Sequence, residues 1–337
     1  MTLSDVAREA GVSVATASRA FNGSTNRTVG EDLRERVATA AARLGYHPDT
    51  TAQAMARGRA NSIGLIVHDI ADPYFSTIAS GVIDAADRSG LAVTVASTQH
   101  DVSRESTLVA LMRHQRARAL ILAGSRTDET AEMELVRGEV EQFLAAGGTV
   151  TLIGQPVLGV DTVVIENRAG AASLAFALHR LGYRRFAVLA GPPQHLTARD
   201  RAMGFVAALA ALSVPVPPEN VVSCAFTRDG GHSGMRTLLE SGSRPEVVFA
   251  VNDVMALGAM AAIHEVGLRI PDDVAIAGFD DIVTVRDVTP PLTSVSIPLT
   301  QVGTQALTLA LAKPQPEPRM VSIPTEVVLR ASTPNRR

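Results

Sequence analysis

Hydroxyl and carboxylate side chains recur at a three-residue spacing within residues 2–23, TLSDVAREAGVSVATASRAFNG. Thr2 precedes Asp5 as in a helix capping box, and Ser13 precedes Thr16 by the same interval. Such side chains accept hydrogen bonds from the unpaired N–H groups in the first turn of a helix. The spacing therefore predicts that one helix starts after Thr2 and another after Ser13.

The residues between these caps predict a short first helix, a turn and a second helix. The apolar positions that recur at helical spacing are Leu3, Val6, Ala7 and Ala10. Gly11 can adopt the positive φ of a sharp turn. This helix-turn-helix pattern places the N-terminal end of its second helix in the DNA major groove. With a third helix predicted from Glu31 to Leu44, ended by Gly45, residues 1–46 form a predicted DNA-binding domain.

Composition narrows the class of protein. The 337-residue chain is 46% hydrophobic and 19% charged, as in globular domains, and its length favours about two or three compact units. It has no run of about 18 apolar residues and no charged-then-apolar leader, so we expect a soluble, cytoplasmic protein. The single cysteine, Cys224, excludes an internal disulfide and is expected to be a small core residue on a strand.

Charge is distributed unevenly. The whole chain carries −3, but residues 1–59 contain eight arginines and six acidic residues, a net charge of +2, which leaves −5 for the rest. This asymmetry fits a small nucleic-acid-binding domain attached to a neutral-to-acidic regulatory body.

The segment 47–60 between these regions has two interpretations. Pro48 stops the third helix and can open a new one, but the helix-forming stretch Thr50 to Arg57 is too short to be stable alone in water. It is either a flexible linker or a hinge helix that folds only against DNA and its twin from a second subunit.

From Ser62 onward, apolar strands alternate with helices. The first series runs through SIGLIVHDI, LAVTVAST, ALILAG and TVTLIG, and the second through VVIEN, FAVLAG, VVSCAF, VVFAVN and VAIAGFD. Two such series predict two α/β lobes with parallel sheets and a ligand at the carboxyl ends of the strands. We expect the first lobe to comprise about 61–160 and 291–318, and the second about 161–290 and 319–332, with one strand from Met320 to Leu329.

Two other function classes compete with a regulator. The sequence lacks the GxGxxG, GxxxxGK[ST], HExxH and GxSxG motifs, so no enzyme, catalytic residue, cofactor or metal site is predicted. The stretch GHSG at 231–234 lacks the spacing of a nucleophile elbow. We expect its His232 to be a solvated helix residue. A transport binding protein would share the two lobes, but it would need a leader and no DNA-binding domain.

Five ordered motifs resemble the LacI/GalR family of bacterial transcriptional regulators. They are TLSDVAREAGVSVATASRAFNG, GYHPDTTAQAMARGRANSIGLIV, DPYF, NDVMALGA and GLRIPDDVAIAGFDD. The resemblance implies a helix-turn-helix head on a periplasmic-binding-protein-like core, a homodimer or dimer of dimers, a near-palindromic operator and a small-metabolite effector. No long heptad tail follows Leu329, which favours a dimer over a tetramer.

The resemblance also assigns DNA contacts. Val14, Ala15 and Arg19 match base-reading positions, and arginine can bond guanine bidentately while small apolar groups meet thymine methyls. Met55 matches a leucine that wedges into the minor groove; alternatively, it packs hinge against hinge. The remaining candidates, whose alternative roles are capping or solvation, are Thr2, Ser13, Thr16, Ser18, Asn22, Tyr46 and Ala52.

The resemblance implies an effector site between the lobes. Arg201, Asn252 and Asp280 match residues that bind ligand hydroxyls or carboxylates, although Asn252 and Asp280 could instead cap local turns. The further lining candidates are Asp69, Tyr74, Phe75, His195, Thr197 and Phe226. Gly154-Gln155 stands where some members carry an acid and an aromatic, and tryptophan is absent. Because Arg201, Asn252 and Asp280 supply donors and acceptors for vicinal hydroxyls, a sugar or polyol is the first expectation, and a nucleoside or purine acting as corepressor is the second.

Overall fold

The computed structural model describes residues 1–22, 29–46, 60–99, 101, 103–128 and 130–336. It divides into two compact units, one formed by residues 1–61 with 115–118 and the other by the rest of the chain. The predicted linker, 47–60, lies outside the described residues except for Ala60.

The first unit contains the three predicted helices: α1 (Leu3–Glu9), α2 (Val14–Asn22) and α3 (Glu31–Leu44). Thr2 and Asp5 form the predicted reciprocal capping box. Gly45 ends α3 in the left-handed conformation, with φ of 59°. The small core of this unit consists of Val6, Ala7, Ala10, Ala17, Val37, Ala40 and Ala41.

The second unit contains two six-stranded sheets, and each forms one lobe. The first sheet has the order β11-β5-β4-β3-β1-β2 and is parallel throughout. Its strands are β1 (Ser62–Val67), β2 (Ala92–Ser97), β3 (Ala119–Ala123), β4 (Thr149–Ile153), β5 (Asp161–Ile165) and β11 (Met320–Ile323).

The second sheet has the order β12-β10-β9-β8-β6-β7, and β12 alone is antiparallel to its neighbour. Its strands are β6 (Phe186–Leu189), β7 (Val221–Val222), β8 (Val247–Ala250), β9 (Ala275–Asp280), β10 (Thr293–Ser296) and β12 (Glu326–Val328). The strand predicted over VVSCAF is shorter than expected, so Cys224 follows β7 half-buried instead of lying on the strand.

Among the residues that the structure describes, eight α-helices pack on the two sheets. In the first lobe they are α4 (Pro73–Arg88), α5 (Ser103–His114), α6 (Thr130–Ala145) and α11 (Leu299–Leu311). In the second lobe they are α7 (Asn167–Arg180), α8 (Leu196–Ala211), α9 (Arg228–Glu240) and α10 (Asp253–Glu265). Helices α4 and α11 can approach closely because Gly81 has no side chain; a Cβ there would overlap the Thr300 carbonyl oxygen.

The predicted lobe boundaries need three corrections. Residues 161–165 and 320–323 belong to the first sheet, whereas 293–296 belong to the second. The strand predicted from Met320 to Leu329 is two strands, β11 and β12, in different sheets. The chain therefore passes between the lobes three times. Local sequence does not determine which sheet each of these strands joins, because a short strand can pair with either sheet.

Candidate functional site

The carboxyl ends of the strands in the second unit surround one cavity between the two lobes. Its side chains and backbone come from both sheets: His68, Asp72, Tyr74, Phe75, Gly124, Ser125, Ile153, Gly154, Ile165, Asn167, His195, Thr197, Arg201, Phe226, Asn252 and Asp280. We name this space the cleft cavity. It lies where parallel α/β sheets bind ligands, outside the carboxyl ends of their strands.

Arg201 of α8 is the central charged group of the cleft cavity, and it is almost completely buried. Its Nε donates to Asn167 Oδ1 at 2.7 Å and its Nη1 to the Val251 carbonyl oxygen at 2.9 Å. Its Nη2 forms an ion pair with Asp280 Oδ1 at 2.8 Å, and its guanidinium lies 3.9 Å above the Phe279 ring. Two of these contacts are hydrogen bonds and the third is an ion pair, and together they fix the guanidinium at the wall of the cleft cavity.

Asp280 ends β9 in an unusual backbone conformation, with φ of 118°. Positive φ in a residue other than glycine costs free energy and is concentrated at functional sites. Burial raises the pKa of the Asp280 carboxyl well above its ordinary value, and Arg201 limits that rise by stabilising the carboxylate. Asp280 therefore lines the cavity as a hydrogen-bond acceptor, and the neighbouring Arg201 guanidinium favours its charged form.

Asn252 caps a helix and also lines the cleft cavity. It is the N-cap of α10, where its Oδ1 accepts from the Met255 N–H at 2.9 Å. The cap fixes the orientation of the side chain.

Aromatic rings form the apolar walls of the cleft cavity. Tyr74 and Phe75, at the start of α4, meet edge to face with ring centroids 4.9 Å apart. Across the cavity, Phe226 contacts His195 with centroids 5.9 Å apart. Burial raises the pKa of Tyr74, so its phenol stays neutral. The walls thus offer apolar faces without adding charge, as ligand pockets commonly do.

Eight of the nine predicted effector residues come together in the cleft cavity; the exception is Asp69, whose Oδ1 accepts from the Ala71 N–H in a local turn. The sequence analysis missed His68, Asp72, Ser125 and Asn167. Asn167 follows the strand that ends in VVIEN, and Asp72 caps α4 in the DPYF motif. A search for polar residues just after each strand would have found them.

The two lobes also meet beside the cavity through a loop of the first lobe and the residues that lead into the first turn of α8 in the second lobe. We name residues 125–128 and 194–199 the interlobe latch. Thr127 and His195 form an antiparallel bridge, Leu196 N–H donates to the Arg126 carbonyl oxygen at 2.9 Å, and Asp128 N–H donates to the Gln194 carbonyl oxygen at 3.3 Å. Ser125, His195 and Thr197 belong both to the interlobe latch and to the lining of the cleft cavity, so a ligand bound in the cavity would contact the latch directly.

In the first unit, the start of α2 presents the predicted DNA-contacting surface. Val14 and Ala15 are exposed, and an exposed valine at a helix start is available for contact with a partner. Ser13 accepts from the Thr16 N–H through its Oγ, which confirms its capping role. The Arg19 Nε donates to the Ala15 carbonyl oxygen at 2.9 Å, so this side chain lies along its own helix in the unbound protein.

The other residues predicted to contact DNA differ in how exposed they are. The Tyr46 ring packs against Phe21, with centroids 6.0 Å apart, so it also serves the core of the head. Ser18 lies half-buried on α2. The Asn22 side chain, Ala52 and Met55 lie outside what the structure describes.

His232, which we expected to be solvated, instead lies partly buried on α9. Its Nε2 is 2.9 Å from Glu265 Oε2 on α10. Within the described ranges, no helix is both long and apolar enough to cross a membrane.

Comparison with known families and proteins agrees with this geometry. A family model described as bacterial regulatory proteins, lacI family, matches residues 2–49. A model described as a periplasmic binding protein-like domain matches residues 175–333. The HTH-type transcriptional repressor CytR of Escherichia coli (strain K12) is 33% identical over 314 residues, which cover 93% of this chain and 90% of CytR.

Two solved structures match nearly the whole fold. The Lac repressor dimer bound to operator and the anti-inducer ONPF has a TM-score of 0.83 and 27% identity, with 99% of each chain covered. The complex of the transcriptional regulator CelR with cellobiose has a TM-score of 0.72 and 28% identity, covering 98% of this chain and 99% of CelR. The head and both lobes therefore have counterparts in one polypeptide.

Proposed function

Because the chain belongs to the LacI family of bacterial transcriptional regulators, we propose that it is a repressor whose operator affinity is set by a neutral sugar or polyol bound in the cleft cavity. Members of this family bind operator DNA and small-molecule effectors and act as dimers. The ligand class and the binding residues of this chain are the parts that we propose.

The observation that carries the ligand class is the buried group of Arg201, Asn252 and Asp280 at one edge of the cavity, facing aromatic walls. The guanidinium of Arg201 can donate, the carboxylate of Asp280 can accept and the amide of Asn252 can do either, which suits adjacent hydroxyl groups. The rings of Tyr74, Phe75 and Phe226 suit the apolar face of a sugar. The bound cellobiose of CelR supports the same class.

On the DNA side, we propose that Val14, Ala15 and Arg19 read bases in the major groove. Arg19 reaches a guanine by exchanging its bond to the Ala15 carbonyl for two bonds to the base edge. Ser13, Thr16 and Ser18 contact phosphates, which position the head without specifying sequence. Met55 inserts into the minor groove at the centre of the operator.

The proposed switch joins the two sites through the segment 47–60. Effector binding changes the closure of the lobes, and in a dimer this alters the spacing of the two hinge segments and their ability to fold on DNA. Coupling of this kind is typically about 1–3 kcal/mol. The Met55→Gly variant is expected to lose specific operator binding far more than non-specific binding; equal losses would indicate a mere linker.

Thermal-shift screening tests the ligand class. The purified protein is screened against sugars, polyols, nucleosides and purines, and each hit is repeated in a binding assay with the DNA upstream of its own gene. A sugar or polyol that stabilises the protein and releases DNA supports the proposal. A purine or nucleoside that tightens DNA binding contradicts it and establishes a corepressed regulator instead.

A further inference from the structure

A second, smaller pocket adjoins the cleft cavity. His68, Ser125 and His195 line both spaces. The other residues that line the smaller pocket are Thr98, Glu105, Arg126, Thr127 and Met133. It has room for about one or two water molecules, so it can hold the two oxygens of a short ligand arm but not a second ring. We name it the Arg126 pocket.

The guanidinium of Arg126 is incompletely bonded although it is buried. Its side chain is 2% exposed, and its Nη1 contacts Glu105 Oε2 at 2.6 Å. Its Nε and Nη2 have no hydrogen-bond partner among the described residues, and neither has Thr127 Oγ1 beside it. Nε and Nη2 together form the side edge of a guanidinium, where two N–H donors lie parallel. A buried donor pair of this kind is costly unless something accepts from it.

The charge of this pocket favours an uncharged acceptor. The Glu105 carboxylate, whose side chain is 6% exposed, already neutralises Arg126. A carboxylate or phosphate at the free edge would lie close to Glu105, and the repulsion is strong where water is excluded. Two adjacent hydroxyl oxygens accept both hydrogen bonds without adding a charge. The second lobe contributes a similar buried arginine–carboxylate pair, Arg201 with Asp280.

We propose that the Arg126 pocket is a second subsite of the effector cleft, and that it takes an uncharged arm of the ligand carrying two adjacent acceptor oxygens. This inference rests on the proposed effector function and deepens it. One arginine–carboxylate pair from each lobe contacts the ligand, so the ligand spans the cleft. The same arrangement discriminates against sugar acids and sugar phosphates.

Calorimetric titration of the full-length protein tests this selectivity. The probes are the neutral sugars found in the thermal-shift screen together with galactose and glucose; galactose and glucose are each paired with the uronate that keeps the pyranose ring and adds one carboxylate, galacturonate and glucuronate. At least one neutral sugar is expected to bind at least tenfold more tightly than its acid. Arg126→Met is expected to lower the affinity of the protein for that sugar about tenfold or more. The matched control is Arg113→Met on α5, also in the first lobe, where the arginine pairs with Glu139 away from the pocket; it should leave the affinity unchanged.

Glu105→Gln provides a second test that does not depend on Arg126→Met folding. The glutamine keeps an acceptor for Arg126 Nη1 but removes the negative charge. The acid is therefore expected to gain at least tenfold in affinity relative to its neutral partner. Operator binding and the melting temperature show whether each variant is folded.

The outcomes separate the two proposals. If no sugar or polyol of the thermal-shift screen and none of these probes binds the wild-type protein, the proposed ligand class is wrong and this inference falls with it. If a neutral sugar binds but keeps its full affinity in a folded Arg126→Met variant, the subsite is wrong while the proposed function stands. Preference of the wild-type protein for an acid, or no change of preference in Glu105→Gln, also overturns the subsite.

Discussion

Arg199 Nη1 lies 2.8 Å from Asp128 Oδ2, and this ion pair connects the second lobe to the first at the edge of the interlobe latch. Neither residue lines the cleft cavity. The pair can therefore influence ligand binding through the position of the lobes, without touching the ligand.

Removal of this ion pair is expected to weaken effector binding by a few-fold. Both side chains are substantially exposed, and such pairs contribute about 0.2–1 kcal/mol. Arg199→Ala, Asp128→Ala and the double variant, titrated with an effector from the screen, should show a coupling energy of that size. Arg236→Ala is the control, because Arg236 pairs with Glu240 within one helix. A coupling of zero would mean that the pair does not hold the lobes together.

Replacement of Arg201 is expected to abolish the effector response but preserve operator binding. Arg201→Met leaves Asp280 buried without its cation, and loss of one partner of a buried pair typically costs about 3–5 kcal/mol of unfolding free energy. The double variant Arg201→Met/Asp280→Asn should recover part of this stability without recovering the response. Urea unfolding and an operator-release assay measure the two effects. A full effector response in the single variant would remove Arg201 from the binding site.

Asp253 is expected to make the stability of the second lobe depend on pH. It accepts from the Ser294 hydroxyl at 2.7 Å and from the Ile282 N–H at 2.9 Å, and burial raises its pKa from 3.8 to about 7. Between these values the folded protein keeps a proton that the unfolded chain releases. The contribution to stability is therefore full below about pH 4 and is lost as pH rises to about 7, at about 1.4 kcal/mol per pKa unit.

Asp253→Asn is expected to reduce the loss of stability between about pH 4 and pH 7. The free energy of unfolding, measured in urea at pH 5 and pH 8, should fall less in the variant than in the wild-type protein. Asp272→Asn, at an exposed position on the same lobe, is the control and should follow the wild type. Parallel profiles for Asp253→Asn and the wild type would show that Asp253 does not carry the effect.

A side chain at Gly11 is expected to strain the turn of the head. Its φ is +63°, and a Cβ there would lie 3.0 Å from Arg36 Nη2, which itself donates to the Ala10 carbonyl oxygen at 2.6 Å. Gly11→Ala should weaken operator binding more than Gly45→Ala, because Gly45 has a similar φ of +59° but open space around it. Affinity for the operator measures both. Equal losses would mean that backbone strain alone matters and the contact with Arg36 does not.

Local sequence determined the features that depend on neighbours in the chain. The capping residues Thr2 and Ser13 fixed two helix starts, Gly45 ended α3 at the predicted position, and the alternation of apolar strands and helices indicated two α/β lobes. These features depend on hydrogen bonds and hydrophobic periods that span only a few residues, so they can be predicted without knowledge of the tertiary structure.

Tertiary structure decided which distant groups meet. The strands at 161–165, 293–296 and 320–323 joined the sheets opposite to those predicted, because pairing depends on partners far away in the chain. Arg201 was identified from its sequence context, but its bonds to Asn167, Val251 and Asp280 required the folded lobe. Arg126 and Glu105 lie 21 residues apart on different elements, and no spacing rule connects them. Their pairing, and the free donor edge that it leaves, exist only once the chain is packed.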